Sequence, residues 1–501
     1  MAQRESPIDQ LERLLRAGDA PGAAAAATAL LAKVPNSFPA RLARARAYLM
    51  ADRPIEAERD LVPALALSPR DELANLLRAQ VDLQYGRLDE AIPRLRGLAD
   101  GRGRHATDAM MGLLDALASM GERDEARRLV ERGGAWTSDP RAPLHLARAT
   151  ASLDPAKGVE AMQALLRGSH HPELRRRAGF EAAGLLDRMQ RFREAFDAAR
   201  EAHAVAPERP DAIAEVIRTA EELLARLETG TPWFEPRAPR VDGVAVMVAL
   251  PRSGTTLLEQ MLDRHPEISG IGEFKGLIAI INGLGHTGYW PQRPNLIPAA
   301  RLAELQSLYL EGAGRIRRPD ARWIFDKVLR AWRAIPEIAA VLPGAAAISV
   351  DRDPRDTATS IFLSFFNPGV IPWSGDFASM RRMIELKRRI APLALELFRM
   401  PNVHVAYEDL VEDPAHHAGR CLRLMGLAMD ERVTRPEESA RRAVTLSSEQ
   451  VRRPINRSSI GRWRNYAWAF DASWDAVVAE HDAMLAASRA ARLASTATSG
   501  G

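Results

Sequence analysis

Along roughly the first 225 residues, apolar positions recur at helical spacing in blocks of about a dozen, and the blocks themselves repeat. The pair Glu-Ala returns at Glu56-Ala57, Glu90-Ala91, Glu125-Ala126, Glu160-Ala161 and Glu194-Ala195, with alanine spacings of 34, 35, 35 and 34. One further step back reaches Ala23, inside the alanine-rich run Gly22 to Ala32, so six units are predicted over residues 5–225. A period of this length holds two helices and two turns, and a small alanine marks where helices cross closely. Gly18, Asp52, Gly86, Gly121 and Gln190 stand five positions before the repeated alanines, where the two helices of a unit should be joined. Pro35, Pro69 and Pro207 close three of the units.

After Leu227 the periodicity stops in ETGTPWFEPRAPRVDG, and the first β pattern follows, Val244 to Leu250. This strand is apolar without alternation, as expected for a strand buried on both faces of a parallel sheet. It runs directly into PRSGTTLLEQMLDRHP, helical by its apolar spacing at Leu257, Leu258, Met261 and Leu262. A second strand, Ala345 to Val350, leads into the helix-forming stretch DRDPRDTATSIFLSFF. These patterns divide the chain into a helical array over 1–228, a linker over 229–242, an α/β domain over 243–488 and a disordered tail over 489–501.

With 46% hydrophobic and 27% charged residues, the chain has the composition of a soluble globular protein, which excludes wholesale disorder and a polytopic membrane protein. Net charge is only +4, and all but five of the 69 basic residues are arginine, so the basic pI reflects arginine bias rather than a nucleic-acid surface. The single cysteine, Cys421, excludes an internal disulfide and a cysteine-based zinc site. No signal-peptide pattern opens the sequence, and the apolar run Ile338 to Val350 is interrupted and too short to span a bilayer; a cytoplasmic protein is expected.

The candidate chemistry lies at the two strand-to-helix switches. In the first, Gly254 permits a tight turn, and the amides of Gly254, Thr255 and Thr256 face the space before a helix N-terminus, where the dipole favours an anion. Arg252, Ser253, Thr255 and Thr256 add side-chain donors. The loop lacks the GxxxxGK[ST] pattern that wraps a polyphosphate and supplies a magnesium ligand. Its shorter span suits one terminal phosphate or sulfate. At the second switch, Arg352, Arg355 and Ser360 offer two cations and a hydroxyl to a second anion, although the aspartates 351, 353 and 356 are rival partners, above all for Arg355.

PRSGTT after one strand, RDPRDTATS after another and the late segment VRRPINRSSIGRWRNY occur in the order that resembles the sulfotransferase superfamily. The repeats ahead of them are similar to tetratricopeptide repeats, and the whole plan resembles bacterial tetratricopeptide-repeat sulfotransferases, with tyrosylprotein sulfotransferases as the animal counterpart. The resemblance implies an all-α solenoid followed by a P-loop-like domain with a parallel sheet. It implies 3′-phosphoadenosine 5′-phosphosulfate as donor and no metal, because that anhydride is already activated. Arg252, Ser253, Gly254, Thr255 and Thr256 would grip the 5′-phosphosulfate, and Arg352 and Ser360 the 3′-phosphate.

By the same resemblance, Glu273 corresponds to a general base, Lys327 to the group that stabilises the leaving oxygen, and Ser447 or Ser448 to a serine of the catalytic pocket. Tyr407 would contact the nucleotide, and Gly461, Arg462 and Trp463 belong to a loop that closes over it. Relatives have proline and asparagine where Leu329 and Ala331 stand, which alters the loop after Lys327. The activity implied is sulfuryl transfer to an acceptor hydroxyl, with a protein or peptide tyrosine among the candidates and the repeats available to bind a peptide or protein. Neither nucleic acid nor membrane is expected as a partner. A P-loop phosphotransferase and a non-catalytic scaffold with a nucleotide-sensing domain are the alternatives.

Overall fold

The computed structural model describes residues 6–206, 209–328, 330–439 and 454–498; Pro207, Leu329, Ser447, Ser448 and the head of the late segment from Val451 lie outside the described residues. The helical half comprises α1 (Pro7–Arg16), α2 (Ala20–Lys33), α3 (Phe38–Met50), α4 (Pro54–Leu67), α5 (Glu72–Gln84), α6 (Leu88–Ala99), α7 (Ala106–Ser119), α8 (Arg123–Arg132), α9 (Ala142–Leu153), α10 (Pro155–Gly168), α11 (Pro172–Arg188), α12 (Phe192–Val205) and α13 (Pro210–Glu228). Ser6, Asp19, Ser37, Asp71 and Asp154 accept backbone amides at the N-termini of α1, α2, α3, α5 and α10. Each cap satisfies a donor that the first helical turn leaves free.

Helices α1 to α12 pack mainly on their neighbours in sequence, whereas α13 lies against the second half. All five expected turn residues adopt left-handed backbone, with φ of 77° at Gly18, 56° at Asp52, 68° at Gly86, 71° at Gly121 and 61° at Gln190. Among the repeated alanines, Ala23, Ala57, Ala91 and Ala195 are fully buried, while Ala126 and Ala161 are half-buried.

The second half is built on β1 (Val244–Ala249), α14 (Thr255–Asp263), β2 (Ile268–Gly270), α15 (Gly276–Gly285), α16 (Ala299–Gly314), β3 (Trp323–Asp326), α17 (Ile335–Val341), β4 (Ala346–Asp351), α18 (Pro354–Phe362), α19 (Phe377–Leu397), β5 (Asn402–Ala406), α20 (Tyr407–Glu412), α21 (Pro414–Leu424) and α22 (Asp475–Thr498). Its five strands are all parallel, in the order β2-β3-β1-β4-β5. Along β1 the apolar run splits between two layers. Ala245, Met247 and Ala249 pack with α14 and α21, whereas Val244, Val246 and Val248 join the core that contains α15 to α17 and α19. That second core continues without a break into the helical half through Ile55, Phe180, Ala195 and Ala202.

Two seams join the halves. In one, Tyr85 packs against Phe274 at 5.8 Å, Lys275 pairs with Asp52, and Arg59 pairs with Glu311. In the other, Phe180 meets Phe365 at 5.9 Å, Phe196 stacks on Phe362 at 4.5 Å, and Arg176 donates to the Phe366 carbonyl at 2.9 Å. Where a tail was expected from residue 489, α22 runs to Thr498, and Arg489 pairs with the buried Asp409 at 2.9 Å. No helix among the described residues is long and apolar enough to cross a membrane.

Candidate functional site

In an open parallel sheet, ligands bind beyond the carboxyl ends of the strands where the order reverses, here around β1. Residues from all five strand ends meet that edge: Arg252 to Thr256 after β1, Glu273 after β2, Lys327 after β3, Arg352 after β4 and Tyr407 after β5. Ser360 joins them from α18 and accepts a hydrogen bond from Arg252 Nε at 2.8 Å. Arg252 and Ser360, expected at separate anions, are therefore in direct contact.

The loop after β1 is held by close contacts. Arg352 Nη1 donates to the Arg252 carbonyl at 3.0 Å, and the Arg352 guanidinium lies 4.9 Å from the centre of the Tyr407 ring. Gly254 has φ of 89°, and a Cβ there would come within 2.2 Å of Tyr407 Cδ2. Only glycine meets both demands. Ser253, Thr255 and Thr256 are buried, and α14 begins after Gly254 without a side-chain cap, at a helix N-terminus whose dipole favours an anion. Arg252 itself adopts φ of 68°, and burial followed by the charges of Arg352 and Arg462 pushes its guanidinium down to about 10. Arg462 is paired with Asp187 and Arg352 lies 3.6 Å from Asp356, and an anion at the loop would relieve the repulsion that remains on Arg252.

Lys327 is almost completely buried and lies 3.2 Å from Glu259 and 3.6 Å from Glu273. Glu273 is half-exposed, and α15 begins only at Gly276, so Glu273 stands before that helix and not in its first turn. The neighbouring Asp326 is buried and accepts a hydrogen bond from Tyr309 Oη at 2.9 Å. Burial, with Glu259 and Glu273 nearby, holds its carboxyl well above the usual carboxylate range. Glu259 was legible in principle: it follows Thr255 by four residues on α14 and so lies one turn beneath the loop, a carboxylate among buried leucines.

Arg355 follows the rival expectation, pairing with Asp353 at 2.9 Å and stacking 3.6 Å from the centre of the Trp463 ring. Gly461 has φ of 73°, and the amides of Gly461 and Trp463 donate to Asp356 at 2.7 and 2.8 Å. Arg462 turns toward the helical half and pairs with Asp187. The pocket serine, Ser447 or Ser448, lies outside the described residues.

The geometry defines a parallel α/β domain whose strand ends carry Arg252 and Arg352 around a glycine-containing loop. Residues 245–431 match the family model of the sulfotransferase family. The chain is 24% identical over 412 residues to an uncharacterized protein of Aquifex aeolicus, covering 78% of this chain and 53% of that protein. It spans about half the length of that relative. To protein-tyrosine sulfotransferase 1 of Danio rerio it is 25% identical over 269 residues, covering 48% of this chain and 71% of that one. Among solved structures, the sulfotransferase domain from the curacin biosynthetic pathway aligns over 45% of this chain and 92% of that domain, at 18% identity and a TM-score of 0.33.

Proposed function

We propose that the protein is a sulfotransferase that moves a sulfuryl group from 3′-phosphoadenosine 5′-phosphosulfate to an acceptor hydroxyl. The observation that carries this reading is the meeting of Arg252, Ser360 and Arg352 at the start of α14, where Arg252 donates to Ser360 and Arg352 to the Arg252 carbonyl. The donor, when bound, supplies an activated sulfuryl group on a phosphate leaving group. Arg252, Ser253, Gly254, Thr255 and Thr256 hold the 5′ end through loop amides, hydroxyls and one guanidinium. Arg352 and Ser360 serve the 3′-phosphate, and Tyr407 contacts the nucleotide.

Lys327 stabilises the leaving oxygen, and Glu273, 3.6 Å from it and open to solvent, takes the acceptor proton. The helical half is a tetratricopeptide-type array that can hold a peptide or protein, and the setting is cytoplasmic. Tyrosyl peptides are the first acceptor class to assay, supported by the likeness to protein-tyrosine sulfotransferase 1.

Thermal unfolding with adenosine 3′,5′-bisphosphate tests the donor site, with 5′-AMP and ATP-magnesium beside it. At about 100 times its dissociation constant the bisphosphate adds roughly 2.7 kcal/mol of stability. No shift with it, or a larger one with ATP-magnesium, would replace this reading with a phosphotransferase or a scaffold.

A further inference from the structure

Asp187 belongs to the last turns of α11, in the helical half, yet both its oxygens are committed to the catalytic half. Tyr466 Oη donates to Oδ1 at 2.6 Å, and the Arg462 guanidinium pairs with Oδ2. The aspartate is only 12% exposed, and Tyr466 is buried with its ring edge-on to Phe192 at 5.6 Å. The turn that carries Arg462 and Tyr466 is fastened on its other side to the anion site. Asp356 takes the Gly461 and Trp463 amides, the Ser459 carbonyl accepts from Arg352, and Trp463 lies under Arg355. A chain of direct contacts therefore runs from α11 through the turn to Arg352, whose other nitrogen holds the loop carbonyl of Arg252. Arg462 is also close enough to Arg252 for their charges to repel.

Resting on the donor site assigned above, we infer that Asp187 is a positioning residue that the helical half contributes to the donor-anion site. It fixes the direction of Arg462 and, through the 461–466 turn, the seat of Arg352. A carboxylate near an anion site would by charge alone weaken anion binding. A positioning role has the opposite sign, so removing the charge at Asp187 discriminates between the two.

The experiment is calorimetric titration of the full chain with adenosine 3′,5′-bisphosphate, alongside unfolding without ligand. Asp187→Asn is expected to bind roughly ten-fold more weakly, the equivalent of one charge-assisted hydrogen bond, and Asp187→Glu to regain most of the affinity. Arg382→Ala cuts a different inter-half ion pair, to Glu221 at 2.6 Å, and should bind as wild type does. Tyr466→Phe keeps the ring against Phe192 and should weaken binding by roughly two- to three-fold, a readout that survives if Asp187→Asn fails to fold. Unchanged or tighter binding by Asp187→Asn overturns the inference, as does equal weakening by Arg382→Ala, which would mark general damage to the seam. If wild type itself does not bind the bisphosphate, the donor assignment falls and this inference with it, an outcome distinct from either.

Discussion

Arg252 is placed where the backbone and the electrostatics both disfavour it. A left-handed φ at a residue with a Cβ costs about 1–2 kcal/mol, and this one is also buried against like charges. Strain retained at a ligand loop is repaid when the ligand arrives. Arg252→Gly should relieve the backbone strain but lose the bond to Ser360, and should abolish stabilisation by the bisphosphate in thermal unfolding. Stabilisation by the bisphosphate that survived the change would remove Arg252 from the donor site.

Glu273→Gln should leave bisphosphate binding intact and lower turnover by at least about a hundred-fold, the lower end of what a positioned general base contributes. Normal turnover would remove the base assignment. The placement of these residues at the strand ends was readable because strand, loop and helix occur in sequence there. What lay outside that reading were partners distant in the chain: Tyr309 for Asp326 and Asp187 for Arg462. No local spacing encodes those meetings.

At the scale of elements, the helical half shows where a period is informative and where it fails. Left-handed turns at Gly18, Asp52, Gly86, Gly121 and Gln190 follow from five-residue spacing to the repeated alanines. The fifth unit has no such residue, because α9 and α10 are joined by Asp154 alone, which ends one helix and caps the next. So short a joint brings the helices together until a Cβ at Gly158 would lie 2.3 Å from Ala151 Cβ and 2.5 Å from its Cα. Backbone cannot yield as a flexible side chain does. Gly158→Ala should thus destabilise by about 1–3 kcal/mol even though alanine is the better helix former by about 1 kcal/mol, a sign that denaturant unfolding would check. The C-terminal helix makes the converse case, since small and polar residues read as a tail until Arg489 and Arg492 meet Asp409 and Glu412 on α20 and Asp413, which caps α21.

Across the whole molecule, buried ionisable groups set how stability responds to acid, and two of them act in opposite senses. His203, at the seam, donates from Nε2 to the Phe362 carbonyl at 2.9 Å, because a carbonyl can only accept and the nitrogen must carry the proton. Burial pushes this ring down to about 4. Between about 6.5, its value when unfolded, and 4, the unfolded chain binds the extra proton, so stability is lost as pH falls through that window. The slope is at most about 1.4 kcal/mol per pH unit for one proton.

Asp326 is held well above its ordinary value, so its contribution is complete below about 3.9 and is lost as pH rises through its folded value. His203→Gln should accordingly shrink the loss of stability between pH 6.5 and 4. Asp326→Asn, which keeps an oxygen for Tyr309, should be more stable than wild type at pH 7, with an advantage that fades on acidification. Denaturant unfolding at a series of pH values reads both differences. Asp351 does not confuse them: Lys387 at 2.7 Å and His404 at 3.0 Å hold its carboxyl well below the usual range, so its stabilisation is lost only below about pH 4. If the two variants shifted in the same sense, burial would not be the cause of either shift, and the seam and the strand-end site would be wetter than their packing implies.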